Sequence, residues 1–306
     1  MPALLILALA LTATAFAQTP DSFKPRAQNP SPMVEYTRSH ERIAQREYDG
    51  EKFELPELLA KPMEVFVPRK SQNARTLDLL CHFHGAGFIT QHAAAEYHGA
   101  LAAVTINLGS GSSVYGRPFE DSTKFANVLD SLRFHLERNL RHKIKWDKIM
   151  LSGFSAGYGA VRKIIGTQNN FARVDAILLL DGLHASYIPE RQVLAEGGVI
   201  DSAGLAAFIH FANVAAQPQS AKRFLITHSE IFPGTFVSTT EASDFILKTM
   251  GLKREAVLKW GPLGMQQISR ARQGYFEVQG FAGNTAPDHV DHLHALGDFL
   301  RRVRKL

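Results

Sequence analysis

Ser155 stands in Gly153-Phe154-Ser155-Ala156-Gly157, a serine with glycine two residues to either side. A hydroxyl is a poor nucleophile at neutral pH, so a serine placed for chemistry must be held in a particular backbone setting and given a base. The flanking residues describe such a setting. Lys148-Ile149-Met150-Leu151-Ser152 reads as a short buried strand, and Tyr158 to Ile165 reads as a helix. A serine on a sharp strand-to-helix turn, with small neighbours that let strand and helix approach, is the context of a nucleophile elbow. Its hydroxyl then stands clear of the sheet at a helix N-terminus, where the dipole favours developing negative charge. The five-residue pattern alone arises by chance in roughly one 300-residue chain in ten at ordinary glycine and serine usage, so a second feature is needed.

That feature is His84-Gly85-Ala86-Gly87, which follows the apolar run Leu77 to Phe83. Together the two motifs resemble the α/β-hydrolase family, in which a glycine-rich loop upstream of the serine supplies the oxyanion hole. The resemblance extends over nearly the whole chain in its order of strands and helices. It implies an oxyanion hole built from the N–H groups of Ala86, Gly87 and Ala156. His84 is expected to brace this loop rather than join the chemistry. The resemblance also places the base after the last strand, where Asp288-His289-Val290-Asp291-His292-Leu293-His294 lies. His289, at the expected helix start, is the first choice, His292 the second and His294 the third. The acid follows the serine and precedes the histidine in the chain. The penultimate strand ends Thr227-His228-Ser229-Glu230, without the family's Gly-x-x-Asp pattern. The preceding strand ends Leu178-Leu179-Leu180-Asp181, and an aspartate behind three leucines is costly to bury without a partner. Asp181 is therefore the first choice for the acid and Glu230 the alternative.

These residues need a scaffold. From residue 63 strand-like and helix-like stretches alternate. Strands are expected at Met63–Val67, Leu77–Phe83, Leu101–Asn107, Lys148–Ser152, Val174–Leu180, Phe224–Thr227 and Gly274–Phe281. Phe125, Val128, Leu129, Leu132, Leu136 and Leu140 recur at helical spacing and mark a long amphipathic helix. Further helices are expected near Ala93, over Asp201–Gln217, over Glu241–Met250 and from Asp288, the last with Val290, Leu293, Leu296, Leu300 and Val303 inward. This alternation predicts an α/β fold, a mostly parallel sheet with helices on both faces. No insertion is long enough for a large lid, and residues 182–222 are the one candidate for a small cap. Gly109-Ser110-Gly111-Ser112-Ser113 lacks the Lys-Ser or Lys-Thr ending of a phosphate-binding loop. It reads as a pocket rim, with Tyr115 and Phe119 as apolar walls.

Composition narrows the rest. The 306 residues are 45% hydrophobic, and no linker interrupts residues 34–306, so one domain is expected there. Residues 1–17 carry an apolar run, Ala3 to Ala10, and end Ala15-Phe16-Ala17, the pattern of a signal peptide cut before Gln18. Residues 18–33, with four prolines, read as an extended leader. No membrane span is expected once the signal is removed. Cys81 is the sole cysteine, so no intrachain disulfide can form. Export without disulfides suits a bacterial periplasm or exterior. The net charge of +5 is spread along the chain, which argues against a nucleic-acid partner.

The expectation is an exported serine hydrolase that cleaves a small or polymer-borne carboxylic ester through an acyl-enzyme, with no cofactor and no metal. Three alternatives stand beside it: a peptidase or amidase on the same fold, a metal-dependent hydrolase, and an inactive fold serving as a binding module. A metal reading would use His82, His84, Asp291 and His292, whose spacing matches no zinc signature.

Overall fold

The computed structural model describes residues 39–56 and 58–306. The expected signal peptide and leader, residues 1–33, lie outside them. Twelve strands are present among the described residues: β1 (Gly50–Leu55), β2 (Met63–Pro68), β3 (Thr76–Phe83), β4 (Leu101–Ile106), β5 (Lys145–Phe154), β6 (Ala176–Leu180), β7 (Tyr187–Ile188), β8 (Val199–Ile200), β9 (Arg223–His228), β10 (Glu255–Trp260), β11 (Gln266–Gln273) and β12 (Phe276–Phe281). The α-helices are α1 (Gly87–Glu96), α2 (Ser112–Gly116), α3 (Lys124–Leu140), α4 (Tyr158–Ile165), α5 (Gln168–Arg173), α6 (Ala206–Ala215), α7 (Thr239–Thr249), α8 (Ala286–His294) and α9 (Leu296–Lys305). None of the described helices is long and apolar enough to cross a membrane.

Ten strands form one sheet in the order β1-β2-β4-β3-β5-β6-β9-β12-β11-β10. The six from β4 to β12 are mutually parallel, and the outer strands on both sides add antiparallel. The central strands explain this arrangement. Every residue of β4 and β6 is buried, as expected of parallel strands covered on both faces. Alternate residues serve opposite cores. Ile177 and Leu179 of β6 pack with residues of α3 to α7, while Ala176, Leu178 and Leu180 pack with residues of α1, α8 and α9. The apolar stripe Phe125, Val128, Leu129, Leu132 and Leu136 of α3 is buried as its spacing requires.

Some boundaries differ from the sequence reading. β1, β10 and β11 were not foreseen, and β10 and β11 lie between β9 and the last strand. β10 is exposed along most of its length and pairs only with β11, so no core demanded an apolar pattern there. The expected helix over Asp201–Gln217 is α only over Ala206–Ala215, after a 3-10 turn capped by the Asp201 carboxylate. The last helix begins at Ala286, earlier than expected, behind a Thr285–Asp288 capping box, and breaks at Ala295 into α8 and α9. Residues 182–222 hold the two-residue strands β7 and β8, which pair with each other, and α6, which packs on the sheet. No large lid is present among the described residues.

The C-terminal helix is tied to the sheet by a buried charge. Glu277 of β12 is fully buried and accepts hydrogen bonds from Arg270 of β11, from Gln279 and from Arg302 of α9, the Arg302 contacts at 2.8–3.0 Å. Removing one side of such a cluster strands the opposite charges, at a cost of about 3–5 kcal/mol. Glu277→Ala should lower the urea unfolding free energy by about that amount. A variant as stable as the parent in urea melts would show that the cluster is not a structural tie.

Candidate active site

β5 ends at Phe154 in extended backbone, and Ser155 follows with φ +46°. That left-handed conformation costs a non-glycine residue of order 1–3 kcal/mol and persists only where the surroundings enforce it. Here they do. A Cβ at Gly153 would stand 2.9 Å from the Gly157 carbonyl carbon, and a Cβ at Gly157 would strike the carbonyl oxygen of Phe83, the last residue of β3. The two glycines thus let the turn close and press it against the strand that leads into His84-Gly85-Ala86-Gly87.

Asp181 follows β6, the next strand over, and is itself at φ +42°. Its N–H donates to the Thr227 carbonyl at 2.8 Å. Its neighbour Gly182 abuts the elbow, and a Cβ there would lie 2.5 Å from the Ser155 backbone N and O. The Asp181 carboxylate is buried and accepts from Ser229 N–H at 3.0 Å, Ser229 Oγ at 2.5 Å and His289 Nδ1 at 2.8 Å. Burial works against its charge. The hydrogen bond from His289, the neighbouring His292 and His289 rings and the Ser229 hydroxyl outweigh that, and hold the carboxyl well below the usual carboxylate range. An ionised carboxylate only accepts, so Nδ1 of His289 carries a proton, which in the neutral ring leaves the lone pair on Nε2.

His289 lies in the first turn of α8, and its ring rests against Phe154, with centroids 4.5 Å apart. Phe154 immediately precedes Ser155, so this contact sets the imidazole beside the elbow. His292 is turned to other partners: it is buried, with Nδ1 2.8 Å from Thr227 Oγ1 and its ring against Phe281 and Phe299. His294 Nδ1 accepts the Ile43 N–H at 3.0 Å. Glu230 is exposed and exchanges hydrogen bonds with the Gly283 backbone, without a contact to any histidine among the described residues.

Ala86 and Gly87 open α1, and Ala156 lies in the 3-10 turn that opens the elbow helix. Neither N-terminus has a side-chain cap, and the first N–H groups of a helix have no acceptor within it. The loop bearing Ala86 is braced by His84, whose Nδ1 lies 2.8 Å from the Tyr115 hydroxyl and whose ring stacks on Phe154 at 5.8 Å. Tyr115 in turn donates to the Gly109 carbonyl at 2.9 Å. Tyr115 and Phe119, expected as pocket walls, are instead buried in the core, where Phe119 packs edge-on against Phe83. A large apolar ring next to a sheet is more stable covered than lining a wet cleft. The cleft beside Ser155, about 420 Å³, is lined by Gly111, Ser112, Tyr158, Arg162, His184 and Phe236 among others.

The four groups of the metal reading face four separate partners. His82 Nδ1 meets Ser152 Oγ at 3.1 Å, His84 meets Tyr115, His292 meets Thr227, and Asp291 meets the N-terminal segment. In that segment Arg42 pairs with Asp291, and His40 Nδ1 reaches the same carboxylate at 2.8 Å, so residues 40–43 strap the outer side of α8. His40, Asp288 and Asp291 do bring ligand atoms within 4.8 Å of one another, but Arg42 already provides the positive charge there, and Asp288 is engaged in the helix cap. Sequence reasoning missed Ser229, Gly182 and the strap. Ser229 adjoins Asp181 only across paired strands, and nothing in the local sequence signals that pairing.

Three buried imidazoles add a pH signature. Burial lowers His82 to about 3 and His228 and His292 to about 4, from an ordinary 6.5. The unfolded chain takes up protons at these sites below pH 6.5 while the folded chain does not, so their stabilisation is complete above 6.5 and is lost as pH falls toward 4. The urea midpoint should therefore drop across that window, and His292→Gln should drop less steeply. Parallel slopes for the two proteins would refute the assignment of His292 as a neutral core residue.

No protein-family model and no curated sequence matches this chain. Solved structures do resemble it in fold. The enterobactin esterase of Shigella flexneri superposes with a TM-score of 0.51 at 10% identity, over 86% of this chain and 61% of that one. An S-formylglutathione hydrolase from Agrobacterium tumefaciens gives 0.47 at 13% identity over 86% and 98%. A Rhizomucor miehei esterase gives 0.45 at 13% identity over 85% and 84%. At 10% identity the likeness to the enterobactin esterase speaks to architecture alone, and together with the sheet topology it shows that this chain has the α/β-hydrolase fold.

Proposed function

We propose that the protein is an exported serine hydrolase that cleaves carboxylic esters, with Ser155, His289 and Asp181 as its triad. One observation carries the reading: a buried carboxylate bonded to His289 Nδ1, with that ring packed on the residue preceding a serine in strained backbone. In the proposed cycle His289 Nε2 takes the Ser155 proton as Oγ attacks the ester carbonyl carbon. The N–H groups of Ala86, Gly87 and Ala156 stabilise the tetrahedral oxyanion. The bond to the alcohol oxygen then breaks, and His289 returns its proton to that oxygen. Water, deprotonated by the same imidazole, attacks the acyl-enzyme, the bond to Ser155 Oγ breaks as the imidazolium returns that proton to Oγ, and the acid is released. Asp181 holds the tautomer and stabilises the imidazolium without taking the proton itself. The apolar run and small-residue cleavage pattern of residues 1–17 support export.

Ser155→Ala should lose nearly all turnover of p-nitrophenyl esters and all labelling by a fluorophosphonate, with an unchanged urea melt. Full turnover in the folded variant would overturn the mechanism, and absence of labelling in the parent would favour the binding-module reading. His289→Ala should cost about as much as the serine, because the pair acts as a unit, and His292→Ala should cost less. Asp181→Asn should reduce kcat by roughly 10⁴-fold if it follows the Ser-His-Asp template, and Glu230→Gln far less. Steady-state kinetics of the four variants test the assignment, and a reversed order within either pair would replace His289 or Asp181.

A further inference from the structure

We infer that the cleft beside Ser155 selects esters whose acyl part carries a free carboxylate, and that Arg162 is the residue that selects them. The inference rests on the ester-hydrolase reading of Ser155. Arg162 is the one charged side chain among the residues lining this cleft, and none of them is acidic. It is half-buried, and no carboxylate among the described residues lies within 4.0 Å of it. Its neighbour on the same helix differs: Lys163 pairs with Glu120 at 3.1 Å. A guanidinium partly withdrawn from water gains from an anionic partner, and the Tyr158 ring 5.5 Å away supplies only part of that gain. An anion arriving in the cleft would supply the missing partner, through the two-pronged geometry a guanidinium offers a carboxylate.

The position suits a substrate held at Ser155. Tyr158 and Arg162 are four residues apart, so they share one face of α4, one turn or about 6 Å apart. Helical side chains lean toward the N-terminus, which here is the end that carries Ser155. The other walls offer no competing cation. His184 Nδ1 is engaged by the Val237 carbonyl at 3.0 Å, and burial lowers its affinity for a proton. Its ring meets Tyr158 and Phe236 edge-on at 5.4 and 5.0 Å. The cleft therefore combines aromatic walls for the spacer with a single cationic end for the carboxylate. Gly111 lines the same cleft, and an added Cβ there would meet nothing within 4 Å, which leaves room for the chain.

The test compares p-nitrophenyl hemiesters of glutaric and adipic acid with the neutral valerate and hexanoate esters of matched length. The parent should favour the hemiesters at least tenfold in kcat/KM at low salt, with the preference shrinking as salt is raised. Arg162→Met should reduce that preference by roughly 10–100-fold, the range of a charge-assisted hydrogen bond. Arg162→Lys should retain part of it. A preference equal in parent and Arg162→Met, or a parent that favours the neutral esters, would overturn the inference. Calorimetric titration of glutarate into folded Ser155→Ala protein separates the two readings. Failure of all esters with glutarate bound in an Arg162-dependent manner would sink the hydrolase reading alone. Ester turnover without glutarate binding, or binding of inorganic phosphate in preference to glutarate, would sink the carboxylate subsite alone.

Discussion

The candidate site depends on a single buried negative charge. Asp181 lies out of water at the carboxyl end of a parallel strand, where an unpartnered carboxylate would be strongly disfavoured. Its three donors come from two other places in the chain: Ser229 gives backbone and hydroxyl beyond β9, and His289 gives its ring from α8. Satisfying one charge therefore joins β6, β9 and α8 at one point. The same contact orients the imidazole and selects its tautomer. A requirement of folding, that buried charge be paired, and a requirement of base catalysis, that the imidazole be held, are met by one set of hydrogen bonds.

The sheet makes this possible by putting its covered strands in the middle. β3, β5 and β6 are adjacent and parallel, so their carboxyl ends open on the same edge. The loop of Gly85 and Ala86, the elbow and Asp181 each follow one of these ends. Tight backbone contacts set their spacing. The elbow turn presses on the end of β3 through Gly157 and on the loop after β6 through Gly182. The low-compressibility packing of protein interiors turns such contacts into fixed distances. The Phe154 ring completes the arrangement by touching both His84 and His289, so the loop that bears Ala86 and the proposed base share one aromatic support.

Legibility in the sequence followed burial. The core strands β3, β4, β5 and β6 could be read because two apolar faces leave near-continuous hydrophobic runs, and α3 because its stripe faces one core. The antiparallel additions β10 and β11 could not, since Leu258 and Trp260 of β10 are largely exposed and its pattern answers to no core. The elbow was legible because its demands are local and fall on glycine. The partner of Asp181 was not, because the choice between Asp181 and Glu230 turns on which carboxylate the sheet register sets against α8, a relation across 108 residues. Tyr115 and Phe119 show the complementary error: aromatic residues near a glycine loop read as pocket walls, whereas the core over β3 offered a drier place.

The strap of residues 40–43 has a temporal consequence. Arg42 and His40 hold Asp291 from 249 and 251 positions away, so the strap is fastened to a helix far along the chain. A growing chain makes His40 and Arg42 long before Asp291. Contacts of such separation carry a large loop-closure cost and form late. The helix that bears His289 thus receives its outer fastening only after Asp291, 249 positions beyond Arg42, has been made. Until residue 289 is made, the Asp181 carboxylate lacks its imidazole partner.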